Sequence, residues 1–171
     1  MPDNYIDINT EAYRQSKSNE AQNLTSCVIF RKDNEWLALS SAILNEISER
    51  KSIHSLPHFS SKLIAGLVNI RGELEICIAL ENALSLKHHE VQSERISARM
   101  IVIVLDSGKY VIEADEVHGI FKVPADSIKQ PPVTLSQDEN NLISGVFDYD
   151  DRHIGLLDSK RLNRLTTESL S

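Results

Sequence analysis

The sequence predicts a mainly β fold, built from short strands as a pair of small barrels or a sandwich. Three observations predict it. Short apolar runs rich in Val, Ile and Leu recur from Cys27 onward. Turn-forming clusters separate them at regular intervals: Lys32-Asp33-Asn34, Arg71-Gly72-Glu73, Asp106-Ser107-Gly108-Lys109 and Asp148-Tyr149-Asp150-Asp151. Stretches with helical period are few. A chain of 171 residues fits one domain, or two small subdomains sharing a core.

In chain order, residues 1–24 are polar without a sustained period and read as a mobile N-terminal tail. The tail's few apolar residues, Tyr5, Ile6, Ile8 and Tyr13, offer it a way to dock instead. Cys27 to Arg31 and Glu35 to Leu39 read as two strands of a hairpin. Ser40 to Ser48 fits either a helical turn or a strand. Residues 49–62 are polar, contain Pro57 and read as a connection. Ile64 to Ile70 and Leu74 to Leu80 are strands joined at Arg71-Gly72-Glu73, and Glu81 to Leu86 reads as a helical turn. His88 to Ala98 is a polar loop. Met100 to Leu105 is continuously aliphatic, as suits a strand buried on both faces. Tyr110 to Ala114 and Val117 to Val123 follow, with Gly119 marking a bulge or a close backbone approach. Pro124 to Asn141 is an irregular loop. Leu142 to Phe147 and His153 to Leu157 form a last hairpin, and Asp158 is placed to cap a helix over Ser159 to Leu165. The expected count is nine or ten strands.

Composition narrows the function classes. The net charge of −7 argues against a nucleic-acid surface. No run approaches the roughly 20 apolar residues of a membrane span, so no direct membrane contact is expected. The N-terminus has early acids and no apolar core of a secretion signal, so the cytoplasm is the expected location. Cys27 and Cys77 sit in apolar runs and read as packed free thiols.

No catalytic or metal motif is present in the sequence. His88-His89 are adjacent, and adjacent side chains of an extended chain point apart. His54, His58, His118 and His153 lack partners at ligand spacing. Asp148, Asp150 and Asp151 lack the Gly and Glu of a calcium loop and read as a solvated turn. There is no G-x-S-x-G, no phosphate-binding glycine loop and no C-x-x-C. Neither a cofactor nor a metal is expected.

The segment that carries most information is Leu63 to Leu80, LIAGLVNIRGELEICIAL, two apolar runs broken at Asn69-Ile70-Arg71-Gly72. Burying an unpaired guanidinium costs several kcal/mol. Arg71 therefore either pairs within the fold, with Glu46 or Glu73 as candidates, or projects from a tight turn toward a partner. Gly72 supplies the backbone freedom such a turn needs. Recognition, more than catalysis, is what this pattern suggests.

Leu63 to Leu86, with NIRGEL, an apolar strand and then a short helix, resembles the central signature of CheW-domain proteins, the chemotaxis coupling proteins. Leu44-Asn45-Glu46-Ile47 is similar to the family's V-x-E-I segment, and Asp115-Glu116-Val117-His118-Gly119-Ile120 to its D-x-V-x-x-[VI] segment. Met100 to Val123 resembles its second barrel, and Leu142 to Leu165 its final hairpin and closing helix. The likeness covers roughly residues 26 to 165. It implies two intertwined five-stranded SH3-like barrels around a shared core in a domain over 25–166, with 167–171 as a C-terminal tail.

In function it implies a non-catalytic adaptor between a chemoreceptor's cytoplasmic tip and the regulatory domain of a CheA-type histidine kinase. Arg71, Asn69, Gly72, Leu44 and Glu46 would form the receptor-binding site. Where the family usually has Pro and then Asp after the signature, this chain has Ile76 and Ala79, so any turn that the Asp braces must be braced otherwise. NIRGELEICIAL and DEVHGI also resemble the accessory CheW-like protein of a Wsp-type pathway, whose output is cyclic-di-GMP. Two other readings stand beside the adaptor. One is a small-molecule sensor or enzyme with a pocket between barrels. The other is a CheW-like competitor that binds only one partner.

Overall fold

A computed structural model describes residues 23–86, 95–133 and 141–171. Most of the N-terminal tail, the His88-His89 pair and part of the loop before Asn141 lie outside the described residues. Eleven strands occur among the described residues: Leu24–Lys32 (β1), Glu35–Ser40 (β2), Leu44–Glu49 (β3), Ile53–His54 (β4), Ile64–Ile70 (β5), Glu73–Ile78 (β6), Arg99–Leu105 (β7), Gly108–Ala114 (β8), Glu116–Pro124 (β9), Ile143–Tyr149 (β10) and Arg152–Leu157 (β11). A one-turn helix, Leu80–Ala83 (α1), follows β6, and Ser159–Leu170 (α2) closes the chain.

The strands form two sheets, ordered β10-β11-β2-β1-β9 and β3-β7-β8-β6-β5-β4. The fold is therefore mainly β, as expected. The first sheet has the expected five strands and the second has six. The additional strand is β4, two residues within the polar 49–62 connection. It pairs with β5 because Gly66 has no side chain: a Cβ there would lie 2.2 Å from the His54 carbonyl oxygen. Ser41–Ile43 forms a single 3-10 turn before β3, so the 40–48 segment holds both a helical turn and a strand.

Both sheets curl. Past β9, Lys129 exchanges two 2.8 Å backbone hydrogen bonds with Val146 of β10, which brings the two ends of the first sheet together. The edges of the second sheet, β3 and β4, are separated in sequence only by Arg50-Lys51-Ser52.

Strand alternation sorts the apolar residues into three cores. Cys27 and Ile29 of β1 pack with Ala38, Val123, Phe147 and Ile154 inside the first sheet. Met100 and Val102 of β7 pack with Val68, Cys77 and Val111 inside the second. The opposite faces of the same strands, Val28 and Phe30 with Ile101, Ile103 and Leu105, meet in a third core shared by the two sheets and covered by Leu162 of α2. This is why the Met100–Leu105 run is aliphatic at nearly every position: β7 has a core on each face. Each such fully buried Ile or Leu stabilises the fold by about 1.5–3 kcal/mol.

The sheets interleave along the chain. β1 and β2 begin the first, β3 to β8 build the second, and β9 to β11 return to the first, with β11 parallel to β2. The Met100–Val123 stretch thus does not form one barrel, as its resemblance implied; it divides at Asp115. There the backbone N–H donates to the Arg31 carbonyl (2.9 Å), and the carboxylate accepts from the Asp33 N–H (2.7 Å). These bonds tie the crossover to the β1–β2 turn.

The closing helix also runs further than expected, to Leu170. Asp158 caps it, its Oδ1 accepting from Lys160 N (3.0 Å) and Arg161 N (3.1 Å). The polar Thr166-Thr167-Glu168 stretch does not stop it. Thr166 is one turn beyond Leu162 on the buried face, and its hydroxyl donates to the Leu162 carbonyl (3.0 Å).

Candidate partner-binding surface

The β5–β6 hairpin is closed by Arg71 and Gly72, with φ of +53° and +87°. Two consecutive positive φ values belong to the tight turn whose twist matches that of its strands, and the second position suits Gly. Asn69 Oδ1 accepts a hydrogen bond from Gly72 N (2.8 Å), so its side chain closes the loop on itself. Both residues thereby hold Arg71 at the tip.

Arg71 both pairs within the fold and projects from the turn into solvent. Its Nε lies 3.0 Å from Glu46 Oε2 on β3, yet the side chain is 82% exposed. Glu46, not Glu73, is the internal partner; Glu73 faces Lys109 instead, at 3.7 Å. Glu46 sits where the register of β3 against β7 slips, between Leu44 and Glu46. With only Nε engaged, the guanidinium fork still offers donors to an external carboxylate.

The structure brings Arg71, Asn69, Gly72 and Glu46 together at one end of the second sheet. Leu44, two residues before Glu46 on β3, is half-buried and packs against the shared core. Leu74, which pairs with Asn69 and is 65% exposed, adds an apolar contact point that the sequence reading did not single out. Its signal was present in the Glu73-Leu74-Glu75 alternation, but the run into Ile78 masked it.

A second surface feature was also missed. In β9, Ile29 pairs with Gly119 and Phe30 with Val117, leaving His118 as the extra residue of a bulge. Its ring stacks on Phe121 (5.1 Å) and meets Trp36 and Tyr149 edge-on, while Arg152 lies 4.0 Å over Trp36. Two hairpins and the separate strand β9 supply this cluster, so no local pattern announces it.

The two cysteines have no place in reactive chemistry. Both are buried; burial raises the Cys27 thiol pKa and, with Glu113 nearby, pushes that of Cys77 up to about 12. What the exposed groups can do is bind, through charge, hydrogen bonding and a small apolar contact.

The match to a family model decides the kinship: the CheW-like domain model covers residues 26–166. The chain belongs to the CheW-like domain family. Among solved structures, it is similar to the scaffolding protein TtCheW from Thermoanaerobacter tengcongensis, with a TM-score of 0.68 and 22% identity over 79% of this chain and 84% of that one. No curated protein matches it.

One departure from the CheW signature has a structural answer. Ala79 occupies the N-cap position of α1 and provides no side-chain cap. Its N–H instead donates to the Leu63 carbonyl (2.6 Å), and Glu81 in the first turn pairs with Lys32 of β1 (3.6 Å). Backbone pairing and a cross-sheet ion pair hold the turn in place of an acidic cap.

Proposed function

We propose that the protein is a non-catalytic adaptor that couples a chemoreceptor of the methyl-accepting type to a CheA-type histidine kinase. The observation that carries this reading is Arg71: an exposed guanidinium, fixed on a rigid turn by Glu46, within a CheW-like domain. A residue so held loses little side-chain entropy on binding, which favours a docking role. Arg71, Asn69, Gly72 and Glu46, with Leu74 beside them, form the receptor-binding site. Leu44 supports it from beneath through the core.

The kinase regulatory domain docks on the other subdomain. The NIRGELEICIAL and DEVHGI wording supports service in a Wsp-type pathway with cyclic-di-GMP as output. The scaffold of the related TtCheW supports the same role. As an adaptor, the protein acts in the cytoplasm at receptor arrays and turns over no substrate.

The test is a pull-down of the full chain against receptor hairpin fragments and CheA-type regulatory domains from its own genome, wild type beside Arg71→Ala. The expected result is binding of both partners, with only receptor binding weakened in a folded Arg71→Ala. Binding of neither partner overturns the proposal. Binding of receptor alone converts it to the competitor reading.

A further inference from the structure

The chain carries 25 Asp and Glu against 18 Lys and Arg, yet residues 50–72 contain no acid at all. They hold Arg50, Lys51, Lys62 and Arg71, together with His54 and His58. The fold lays this stretch along one edge of the second sheet, as β4, its loop and β5. Lys51 lies on the side of β4 toward Ile70, and Lys62 lies just before the opposite end of β5. Lys51, His54 and Lys62 are exposed, and among the described residues no carboxylate is within ion-pair distance of them.

Between these cations runs a partly apolar line. His54 pairs with Leu67, Leu67 with Ile76 and Asn69 with Leu74, so these side chains share the outer face. Leu74 is exposed and Leu67 half-buried. The seven residues of β5 span roughly 23 Å. A helix of about 15 residues covers that length. The line is continuous with Asn69 and Arg71 of the site described above.

We infer that this strip recognises a helix whose docking face alternates apolar residues with carboxylates. The inference rests on the receptor-adaptor reading and specifies the chemistry of the receptor helix: its acids face Lys51, Lys62 and Arg71, and its apolar residues meet Leu67 and Leu74. In a protein of net charge −7, an acidic partner is repelled over most of the surface. This edge contributes no acid of its own and meets carboxylates from other strands at Arg50 (Glu113) and Arg71 (Glu46), leaving Lys51 and Lys62 to draw an acidic partner in, so the charge pattern sets both the site and the orientation.

The experiment measures binding of the full chain to the receptor hairpin fragment that gives the strongest pull-down, at several salt concentrations. Lys51→Glu/Lys62→Glu is compared with Lys122→Glu/Lys129→Glu, which changes net charge equally on the first sheet. The expected result is an affinity loss of about tenfold or more for the first pair, little change for the second, and a weaker salt dependence in the first pair than in wild type. Lys51→Gln/Lys62→Gln, with a smaller loss in the same direction, carries the test if the reversal disturbs folding. Equal losses in both reversed pairs, or none in the first, overturn the inference while leaving the adaptor reading intact. Failure of every receptor fragment to bind wild type overturns both.

Discussion

Lys32 on β1 and Glu81 on α1 form an ion pair between the two sheets, Nζ 3.6 Å from Oε2, with Lys32 only 8% exposed. Removing one member of a buried pair leaves the other charge uncompensated, whereas removing both does not. Glu81→Gln or Lys32→Met alone is expected to cost about 2–3 kcal/mol, and Lys32→Met/Glu81→Leu less than either single change. Urea denaturation of the three variants measures this. A double variant as unstable as the sum of the singles would show that the pair is not coupled.

Arg71 separates binding from stability. Its partner pairing is largely solvent-exposed, so Arg71→Ala should change the unfolding free energy by less than about 1 kcal/mol. Receptor-hairpin affinity should fall about tenfold, equivalent to 1.4 kcal/mol. Thermal unfolding beside a binding titration checks both; a large drop in melting temperature would mean that Arg71 serves the fold first.

Two glycines of the same hairpin should respond differently. Gly66→Ala forces a Cβ against the His54 carbonyl and should cost about 3 kcal/mol and detach β4. Gly72→Ala meets nothing within 4 Å and bears only the positive φ, about 1 kcal/mol. Denaturation midpoints of the two variants test the contrast, and equal costs would refute it.

The thiols yield a pH prediction. A thiol pKa raised on folding means that the folded state holds its proton more tightly than the unfolded chain does. Its stabilising contribution is complete below the ordinary value of 9.0 and is lost as pH rises through about 12. Stability should therefore decline over that window, and Cys77→Val should decline less than wild type. In the native protein near pH 8, neither thiol should react with a disulfide reagent, and both should react in denaturant.

Much of this fold is legible in the sequence because strand period and turn chemistry are local. The Asn69–Gly72 turn, the Asp158 cap and the two-sided burial of β7 follow from a few neighbouring residues each. The unforeseen features depend on distant ones. β4 exists because Gly66, more than ten residues on, leaves room for it. The crossover at Asp115 depends on the Arg31–Asp33 turn. Helix α2 continues through a polar stretch because Thr166 meets a core assembled from both sheets. At the candidate surface, the Arg71–Glu46 pairing was among those the sequence left open, whereas the exposure of Leu74 depends on where the shared core ends. Leu44 shows how packing adds a second role: half-buried in β3, it also packs against the shared core, which no neighbouring residue announces.

The interleaving of the sheets has a consequence for biosynthesis. A nascent chain that has emerged only as far as Ala114 contains all the strands of the second sheet, but only β1 and β2 of the first. Val28 and Phe30 can already settle against β7, while Cys27, Ile29 and Ala38 must wait for Val123, Phe147 and Ile154. The first hairpin is thus made before every other described strand and is among the last to be enclosed, an aggregation-prone interval that ends only when β11 docks alongside β2.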